Sequence, residues 1–251
     1  MTALRASLFN VLFFTLTALI ALAGLPILVL SGRATRRIAN LWARLMLRLL
    51  ALIVGLDYQV RGREHLPDGP AILASKHQSA WDTFVFLVLA REPVYVVKRE
   101  LLWIPLYGWY ARRAGTIAVD RAGGPAALKD MVRRTQAALD GGRQVVIFPE
   151  GTRSAPGRRL PYHPGVAALY GALDLPVVPV ALNSGLFWGR RSFIKRPGVI
   201  TVEFLPAIEP GLSREDFVAE LERRIETAAT RLKEEAEAAC QGASPRGPSV
   251  R

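Results

Sequence analysis

Two short polar segments carry residue types suited to acid–base and anion-binding chemistry. The first, Lys76–Asp82, places a histidine five positions before an aspartate. A carboxylate that holds one imidazole nitrogen leaves the other free as a general base, so His77 and Asp82 form the candidate catalytic pair. Residues five apart do not share a helical face, so the pair requires His77 in a loop and Asp82 in the first helical turn.

The same segment also fits a purely structural interpretation. Ser79 and Asp82 have the spacing of a capping box, in which a serine opens a helix and an acid three residues later bonds back to its amide. The two interpretations are compatible, because a capped helix would fix Asp82 beside His77. The other histidines, His65 and His163, have no acid at this spacing downstream.

The second polar segment, Phe148–Ser154, follows the apolar run Gln144–Ile147. Pro149 fixes φ and Gly151 is free to take a positive φ, so the sequence predicts a sharp turn where a buried strand ends. Arg153 would offer a planar fork of donors to phosphate oxygens beside free backbone amides. The alternative is a strand-exit turn whose charges are incidental.

Several familiar catalytic patterns are absent from the sequence. It contains no Gly-x-Ser-x-Gly elbow, no P-loop lysine motif and no His-Glu-x-x-His. Their absence disfavours a serine hydrolase of the usual α/β type, nucleotide hydrolysis and a zinc peptidase. The single cysteine, Cys240, excludes an internal disulfide and a cysteine cluster for zinc. The sequence therefore predicts no metal site.

The charge balance points to anionic partners. The chain has 33 lysines and arginines against 21 acids, a net charge of +12. Such a field attracts nucleic acid, anionic membrane surfaces or phosphorylated substrates. Nucleic acid is disfavoured, because no known binding module is present and the basic residues flank apolar segments.

The amino terminus favours a membrane. Ser7–Leu30 comprises 24 positions without a charge, long enough for a membrane helix. Arg5 precedes this run, whereas Arg33, Arg36 and Arg37 follow it, which would place the next domain in the cytoplasm if the run spans. A cleaved signal peptide is a weaker alternative, because the apolar run has no polar break. A bent helix that stays in one leaflet fits equally well.

A second apolar segment, Ile38–Leu56, is flanked and interrupted by a basic stripe. Arg37, Arg44 and Arg48 are seven and four residues apart and share one helical face. Such a stripe suits the headgroup region, and the alternative is a second core helix. The aromatic run Leu101–Tyr110 also has more than one interpretation, because it suits a core, a lipid interface or the lining of an acyl tunnel.

From Tyr58 onward, short β-rich runs alternate with helical ones. This interleaving predicts an α/β layer structure with a largely parallel sheet flanked by helices, preceded by N-terminal hydrophobic membrane-attaching helices. The predicted strands are Tyr58–Arg61, Ala71–Ser75, Val94–Lys98, Gln144–Phe148, Val177–Leu182 and Val199–Leu205. The predicted helices are Ala80–Ala90, a segment around Leu102–Ala111, Pro125–Asp140, Gly165–Leu173 and Arg214–Ala239.

We therefore expect three parts in the chain. Residues 1–56 form a membrane-attaching helical segment, 57–240 form the α/β domain, and 241–251 form a tail rich in Gly, Ser and Pro that is expected to be disordered. The last predicted helix is interpreted as having a solvated face and some apolar contacts, and no function is assigned to it.

The order of these motifs resembles that of the glycerolipid acyltransferase family, whose signatures read His-x4-Asp and Phe-Pro-Glu-Gly-Thr-Arg-Ser. A third family element, Asp-Arg after an apolar strand, is matched by Gly115–Arg121, and a fourth, a proline-centred strand, by Val178–Leu182. The family's lysine before a Glu-Leu pair is matched by Lys98. The resemblance runs from about Lys76 to Asn183 and includes one departure, because many members have asparagine where Lys76 stands.

The resemblance implies a mechanism and a set of site residues. His77 would deprotonate a glycerol hydroxyl, which attacks a thioester carbonyl directly, and Asp82 would orient His77. The residues implied to bind the substrate are Lys98, Arg121, Glu150, Gly151, Thr152 and Arg153.

We expect an enzyme at the cytoplasmic side of the inner membrane that acylates lysophosphatidic acid to phosphatidic acid. The acyl donor would be acyl-coenzyme A or acyl carrier protein as co-substrate, without a further cofactor. An acceptor such as a lyso-ornithine lipid is the closest alternative. Proteins of other classes remain open: a membrane-bound lipid esterase or thioesterase that uses water, and a non-catalytic membrane-binding protein with the same fold.

Overall fold

The computed structural model describes residues 2–242, with side chains up to Ala239, and is built on a seven-stranded sheet. Its strand order is β1-β7-β6-β2-β5-β3-β4. All neighbouring strands are parallel except β6 and β7. The predicted α/β class with a largely parallel sheet is therefore confirmed. The strands are β1 Leu56–Arg61, β2 Ala71–Ser75, β3 Val94–Lys98, β4 Ile117–Val119, β5 Gln144–Ile147, β6 Val177–Leu182 and β7 Gly198–Phe204.

Seven α-helices accompany the sheet in the described part of the chain. The second is continued by a π-helical turn, Leu50–Val54, and short 3-10 turns cover Leu25–Val29, Arg63–His65, Arg99–Trp103 and Ser184–Leu186. The helices are α1 Thr2–Ala23, α2 Gly32–Leu49, α3 Asp82–Leu89, α4 Tyr107–Ala114, α5 Gly124–Asp140, α6 Pro164–Leu173 and α7 Arg214–Gly242.

The predicted helix around Leu102–Ala111 is wrong in its first half. That half contains a 3-10 turn and an extended Ile104, and α4 begins only at Tyr107. Pro105 accounts for the break, because proline disfavours the helical conformation of the preceding residue. Strand β4 was predicted only through the resemblance, since its three residues are too few for a periodic pattern.

The first two helices share a hydrophobic core with one face of the sheet. Phe9 of α1 and Ala43 of α2 are fully buried in the same cluster as Trp81 and Ile200. The predicted boundary at residue 56 therefore follows a change in amino-acid composition, and the residues on either side of it pack in one core. At the other end of the chain, α7 continues through Gln241 and Gly242, and the rest of the predicted tail, residues 243–251, lies outside the described residues.

The first helix has two different faces. Ala6, Phe9 and Asn10 are buried against the domain, at the spacing of one helical face. The opposite face is apolar and exposed. Among the described residues α1 alone is long and apolar enough to cross a membrane, and its most apolar stretch is only 11% buried. The exposed large apolar residues of α1 are Leu4, Leu8, Val11, Phe14, Leu19 and Leu22.

The pairing of β2 with β5 positions both polar segments. These strands are neighbours and parallel, with Ala74 opposite Ile147. Parallel strands end at the same edge of a sheet, so the segments that follow β2 and β5 meet there.

Candidate active site

His77 and Asp82 are bonded as the sequence predicts. The distance from His77 Nδ1 to Asp82 Oδ2 is 3.0 Å. The same oxygen accepts the backbone N–H groups of Gln78 and Ser79 at 2.7 and 2.8 Å. Because an ionised carboxylate can only accept hydrogen bonds, Nδ1 carries the proton and Nε2 is left as an acceptor.

A third group fixes Asp82 from the other side. The hydroxyl of Ser184, which follows β6, donates to Asp82 Oδ1 at 2.6 Å, and both residues are fully buried. Ser184 was not among the site residues predicted from the sequence. Its position two residues beyond a parallel strand next to β2 was the available signal, because functional groups collect at that edge.

The helix cap forms only in part. Helix α3 begins at Asp82, two residues later than predicted. Asp82 bonds back to the amide of Ser79, but the hydroxyl of Ser79 accepts the amide of Trp81 rather than that of Asp82. The reciprocal capping box is therefore incomplete, and the Asp82 carboxylate closes the loop around His77 instead.

The second polar segment supports the imidazole. The ring of Phe148 stacks on His77 with centroids 4.1 Å apart. The amide of Ser154 donates to the carbonyl oxygen of His77 at 2.8 Å. His77 is thus held through its ring and its main chain.

Lys76 is fully buried and bridges two acids. Its Nζ donates to Glu150 Oε1 at 2.8 Å and to Glu226 Oε1 of α7 at 2.6 Å. It also donates to the carbonyl oxygen of Arg158 at 3.2 Å. The departure from the family pattern is therefore accommodated by an acid on α7, for which no role was predicted.

Glu150 faces inward. Its side chain is completely buried, and its Oε2 accepts the backbone N–H of His77 at 3.2 Å. Burial raises the pKa of this carboxyl, against the opposing effect of the Lys76 ammonium. Glu150 does not line the cavity described below, so the structure does not place it where a substrate would contact it.

Arg121, Gly151 and His163 meet at the other side of this turn. Arg121 donates to the carbonyl oxygen of Gly151 at 2.5 Å. Gly151 has a φ of +61°, and a Cβ there would lie 2.6 Å from both the Arg121 guanidinium and the His163 ring. The position therefore requires glycine. Burial, together with Arg121, lowers the pKa of His163, a residue that the sequence analysis did not single out.

The remaining predicted binding residues separate into two groups. Lys98 lies on the cavity wall with Arg121 and Gly151, and pairs with Glu100 at 3.1 Å. Thr152 is exposed and Arg153 is half-buried, and neither contributes to the wall.

The cavity itself has a volume of about 1370 Å³ and lies between the sheet and helices α1, α2 and α4. Its wall combines His77, Arg121 and Lys98 with a long apolar lining. A charged region joined to an apolar one suits a ligand that has a phosphate and an acyl chain. Apolar and aromatic lining residues include Phe14, Leu41, Leu87, Tyr95, Leu106 and Tyr110.

Most of the aromatic run Leu101–Tyr110 lies outside the core, although Leu102 is buried. Trp103 is 66% exposed and Trp109 52% exposed. Leu101, Ile104 and other members of the run line the cavity. The run therefore provides part of the surface and part of the cavity lining.

Known proteins match this chain over much of its length. The acyltransferase family model matches residues 57–183. The chain is 37% identical to the 1-acyl-sn-glycerol-3-phosphate acyltransferase of Pseudomonas aeruginosa, over 90% of this chain and 87% of that protein. It is 32% identical to the human 1-acyl-sn-glycerol-3-phosphate acyltransferase alpha, over 81% of this chain and 73% of that protein.

A solved structure shares the fold. The crystal structure of the 1-acyl-sn-glycerophosphate (LPA) acyltransferase PlsC from Thermotoga maritima matches with a TM-score of 0.76. The match has 22% sequence identity and covers 93% of this chain and 98% of that one. The fold and the relatives matched over most of the chain together define an α/β transferase. More narrowly, the chain belongs to the acyltransferase family.

Proposed function

We propose that this chain transfers an acyl group from a thioester to the free hydroxyl of lysophosphatidic acid, giving phosphatidic acid. The observation that carries the proposal is one cavity that presents His77, with Asp82 bonded behind it, the Arg121 side chain and a long apolar wall. Relatives named for this activity, matched over most of the chain, support the choice of acceptor.

His77 acts as the general base in the proposed reaction. Its Nε2 takes the proton of the acceptor hydroxyl while that oxygen attacks the thioester carbonyl. The C–S bond then breaks, and the imidazolium returns the proton to the leaving thiolate. Asp82 stabilises the imidazolium and keeps the required tautomer, and Ser184 holds Asp82 in place.

The acceptor phosphate binds on the Arg121 side of the cavity. Arg121 and Lys98 supply charge at the wall, and Gly151 lets the backbone approach closely. Arg153 and Thr152 contribute from the adjoining turn. Glu150 has a different part in the proposal: it fixes the main chain of His77 and the ammonium of Lys76.

The acyl donor in this proposal is acyl-coenzyme A or acyl carrier protein, and no further cofactor takes part. Both donors are anionic and suit a chain with a net charge of +12. In the described part of the chain no group of three or more His, Cys, Asp or Glu side chains is arranged to hold a metal ion.

Membrane attachment occurs through one leaflet at the cytoplasmic side of the inner membrane. One face of α1 packs on the domain while the opposite face is apolar and exposed. A helix with one packed side suits half-insertion better than crossing the bilayer. On α2 the arginines of the basic stripe, Arg37, Arg44 and Arg48, are exposed as a headgroup contact requires.

A direct assay tests the function. Purified protein is incubated with radiolabelled acyl-coenzyme A and a panel of acceptors: lysophosphatidic acid, lysophosphatidylcholine, a lyso-ornithine lipid and water alone. We expect labelled phosphatidic acid only, formed at a rate lowered on the order of 10²–10⁴ by the variant His77→Ala. Free fatty acid as the main product would indicate a thioesterase and reject the proposal.

A further inference from the structure

A loop between β6 and β7 presents an apolar tip to solvent. Phe193 is 72% exposed and Ile194 is 43% exposed. Arg190, Arg191 and Arg196 around them are also exposed. The chain has no acidic residue from 175 to 202, so nothing within this stretch offsets the positive charge.

The tip is held in a defined turn. The hydroxyl of Ser192 accepts the amide of Ile194 at 3.1 Å and donates to its carbonyl oxygen at 2.9 Å. The amide of Arg196 donates to the carbonyl oxygen of Phe187 at 2.9 Å, which closes the base of the loop. The two apolar side chains are therefore presented by a closed turn, which limits the entropy lost on binding.

The loop is bonded to the first helix. Asn10 of α1 donates from Nδ2 to the carbonyl oxygen of Phe193 at 3.0 Å. The ammonium of the buried Lys195 bonds to Asn10 Oδ1 and to that same carbonyl oxygen, and lies 4.4 Å from the ring centroid of Trp188. The next residue of the helix, Val11, is 62% exposed. The tip thus adjoins the exposed apolar face of α1.

We propose that residues 190–196 form a second membrane contact that binds anionic phospholipid. This inference rests on the proposed attachment through α1 and adds a surface that lies 180 residues further along the chain. Phe193 and Ile194 enter the interfacial region, and Arg190, Arg191 and Arg196 bind lipid phosphates. The charge of the loop selects an anionic bilayer as the partner, and its continuity with α1 places it at the same depth.

The second contact has an orienting effect. A single half-inserted helix leaves the domain free to roll about the helix axis. The loop holds α1 near its start, and Tyr110 of α4 donates to the carbonyl oxygen of Ala21 near its end at 2.8 Å. Phe14, Thr17 and Ala21 of the same helix line the cavity. Contact at the loop therefore fixes the cavity relative to the bilayer.

Vesicle co-sedimentation of the full-length protein tests the proposal. The variants are Phe193→Ser with Ile194→Ser, and Arg190→Glu with Arg191→Glu. The vesicles consist of phosphatidylcholine alone or of phosphatidylcholine with added phosphatidylglycerol. We expect the serine variant to lower partitioning about fivefold or more on both vesicles. The glutamate variant should lower it only on anionic vesicles, and high salt should abolish the difference.

Matched controls are available on the opposite side of the sheet. Leu212→Ser removes an apolar side chain that is 44% exposed near α7. Arg133→Glu with Arg134→Glu on α5 makes the same change of net charge. Both controls should partition like the parent protein. Parental partitioning of both loop variants would overturn the proposal.

A local probe gives a second readout. An environment-sensitive dye on Phe193→Cys, in a Cys240→Ser background, should shift to shorter emission wavelength on anionic vesicles. The same dye on Leu212→Cys should not shift, and an unshifted loop dye would also overturn the proposal. Acylation of a monomeric short-chain lysophosphatidic acid should stay at the parental rate in the loop variants. If the parent protein did not acylate this short-chain substrate, that result would instead count against the proposed function.

Discussion

Two buried carboxylates bond to His77, and they act on different parts of it. Asp82, after β2, bonds to the imidazole ring, whereas Glu150, after β5, bonds to the main-chain amide. Both belong to motifs whose residue types suggest chemistry. A motif can therefore predict that a residue lies at the edge of the sheet. The role of that residue depends on which groups contact it there.

The largest expected effect is a loss of activity when the imidazole ring of His77 or its carboxylate partner is changed. His77→Ala removes the proposed base and should lower kcat on the order of 10²–10⁴. Asp82→Asn should approach this loss, because the amide can donate to Nδ1 and so favours the wrong tautomer. Steady-state assays with lysophosphatidic acid measure both changes.

The control for this prediction is structural. Circular dichroism and vesicle partitioning of His77→Ala should match those of the parent protein, because the histidine ring contributes one hydrogen bond and one stacking contact. More than half of the parental activity in such a folded variant would remove His77 from the mechanism.

The next effect is a loss of stability when the ion pairs around Glu150, which bonds to the main chain of His77, are changed. Lys76→Met leaves Glu150 and Glu226 buried without their shared cation, and breaking a buried pair in this way costs about 3–5 kcal/mol. Glu226→Gln leaves the Lys76–Glu150 pair in place and should cost less than half as much. Urea unfolding measures both free energies.

The asymmetry between these variants is the informative result. A Lys76→Met, Glu226→Gln double variant should not recover the loss, because Glu150 still lacks a cation. Equal losses for the two single variants would mean that Glu226, rather than Glu150, is the principal partner of Lys76.

The cavity wall provides a smaller, kinetic effect. Arg121→Ala should raise KM for lysophosphatidic acid about ten- to a hundredfold, since a charge-assisted hydrogen bond is worth roughly 1.5–3 kcal/mol. Arg153→Ala should raise it less, because Arg153 does not line the cavity. Arg99→Ala is the matched control, since Arg99 pairs with Asp120 and also lies outside the cavity lining. A change confined to the KM of the acyl thioester would contradict the assignment of Arg121.

The contrast between Asp82 and Glu150 also explains what the sequence could predict. The strand before each polar segment is an apolar run of β-forming residues, and the His-x4-Asp spacing constrains a local loop, so the His77–Asp82 bond followed from nearby residues. The environment of Glu150 depends on Glu226, which is 76 positions away on a helix that reads as solvated. Ser184 was missed for the same reason. Its contact with Asp82 arises because the ends of β2 and β6 are neighbours, and local patterns do not encode that.

The smallest expected effect is Glu150→Gln, and it separates the two carboxylates most sharply. Burial raises the pKa of Glu150, so the carboxyl of Glu150 binds a proton more tightly in the folded chain than in the unfolded chain. The free energy of unfolding should therefore fall as pH rises from the ordinary glutamate range through the raised pKa. In Glu150→Gln this part of the pH dependence should disappear.

The activity of the same variant completes the test. The glutamine oxygen can still accept Lys76, but its NH₂ group cannot accept the amide of His77, which loses one hydrogen bond worth about 0.5–1.5 kcal/mol. We expect kcat to fall by about tenfold at most, well above the rate of Asp82→Asn. Glu203→Gln, at an ion pair with Arg231 remote from His77, controls for the general effect of removing a paired carboxylate. If Glu150→Gln were as inactive as Asp82→Asn, Glu150 would act on the reaction directly, and the division of work between the two carboxylates would be wrong.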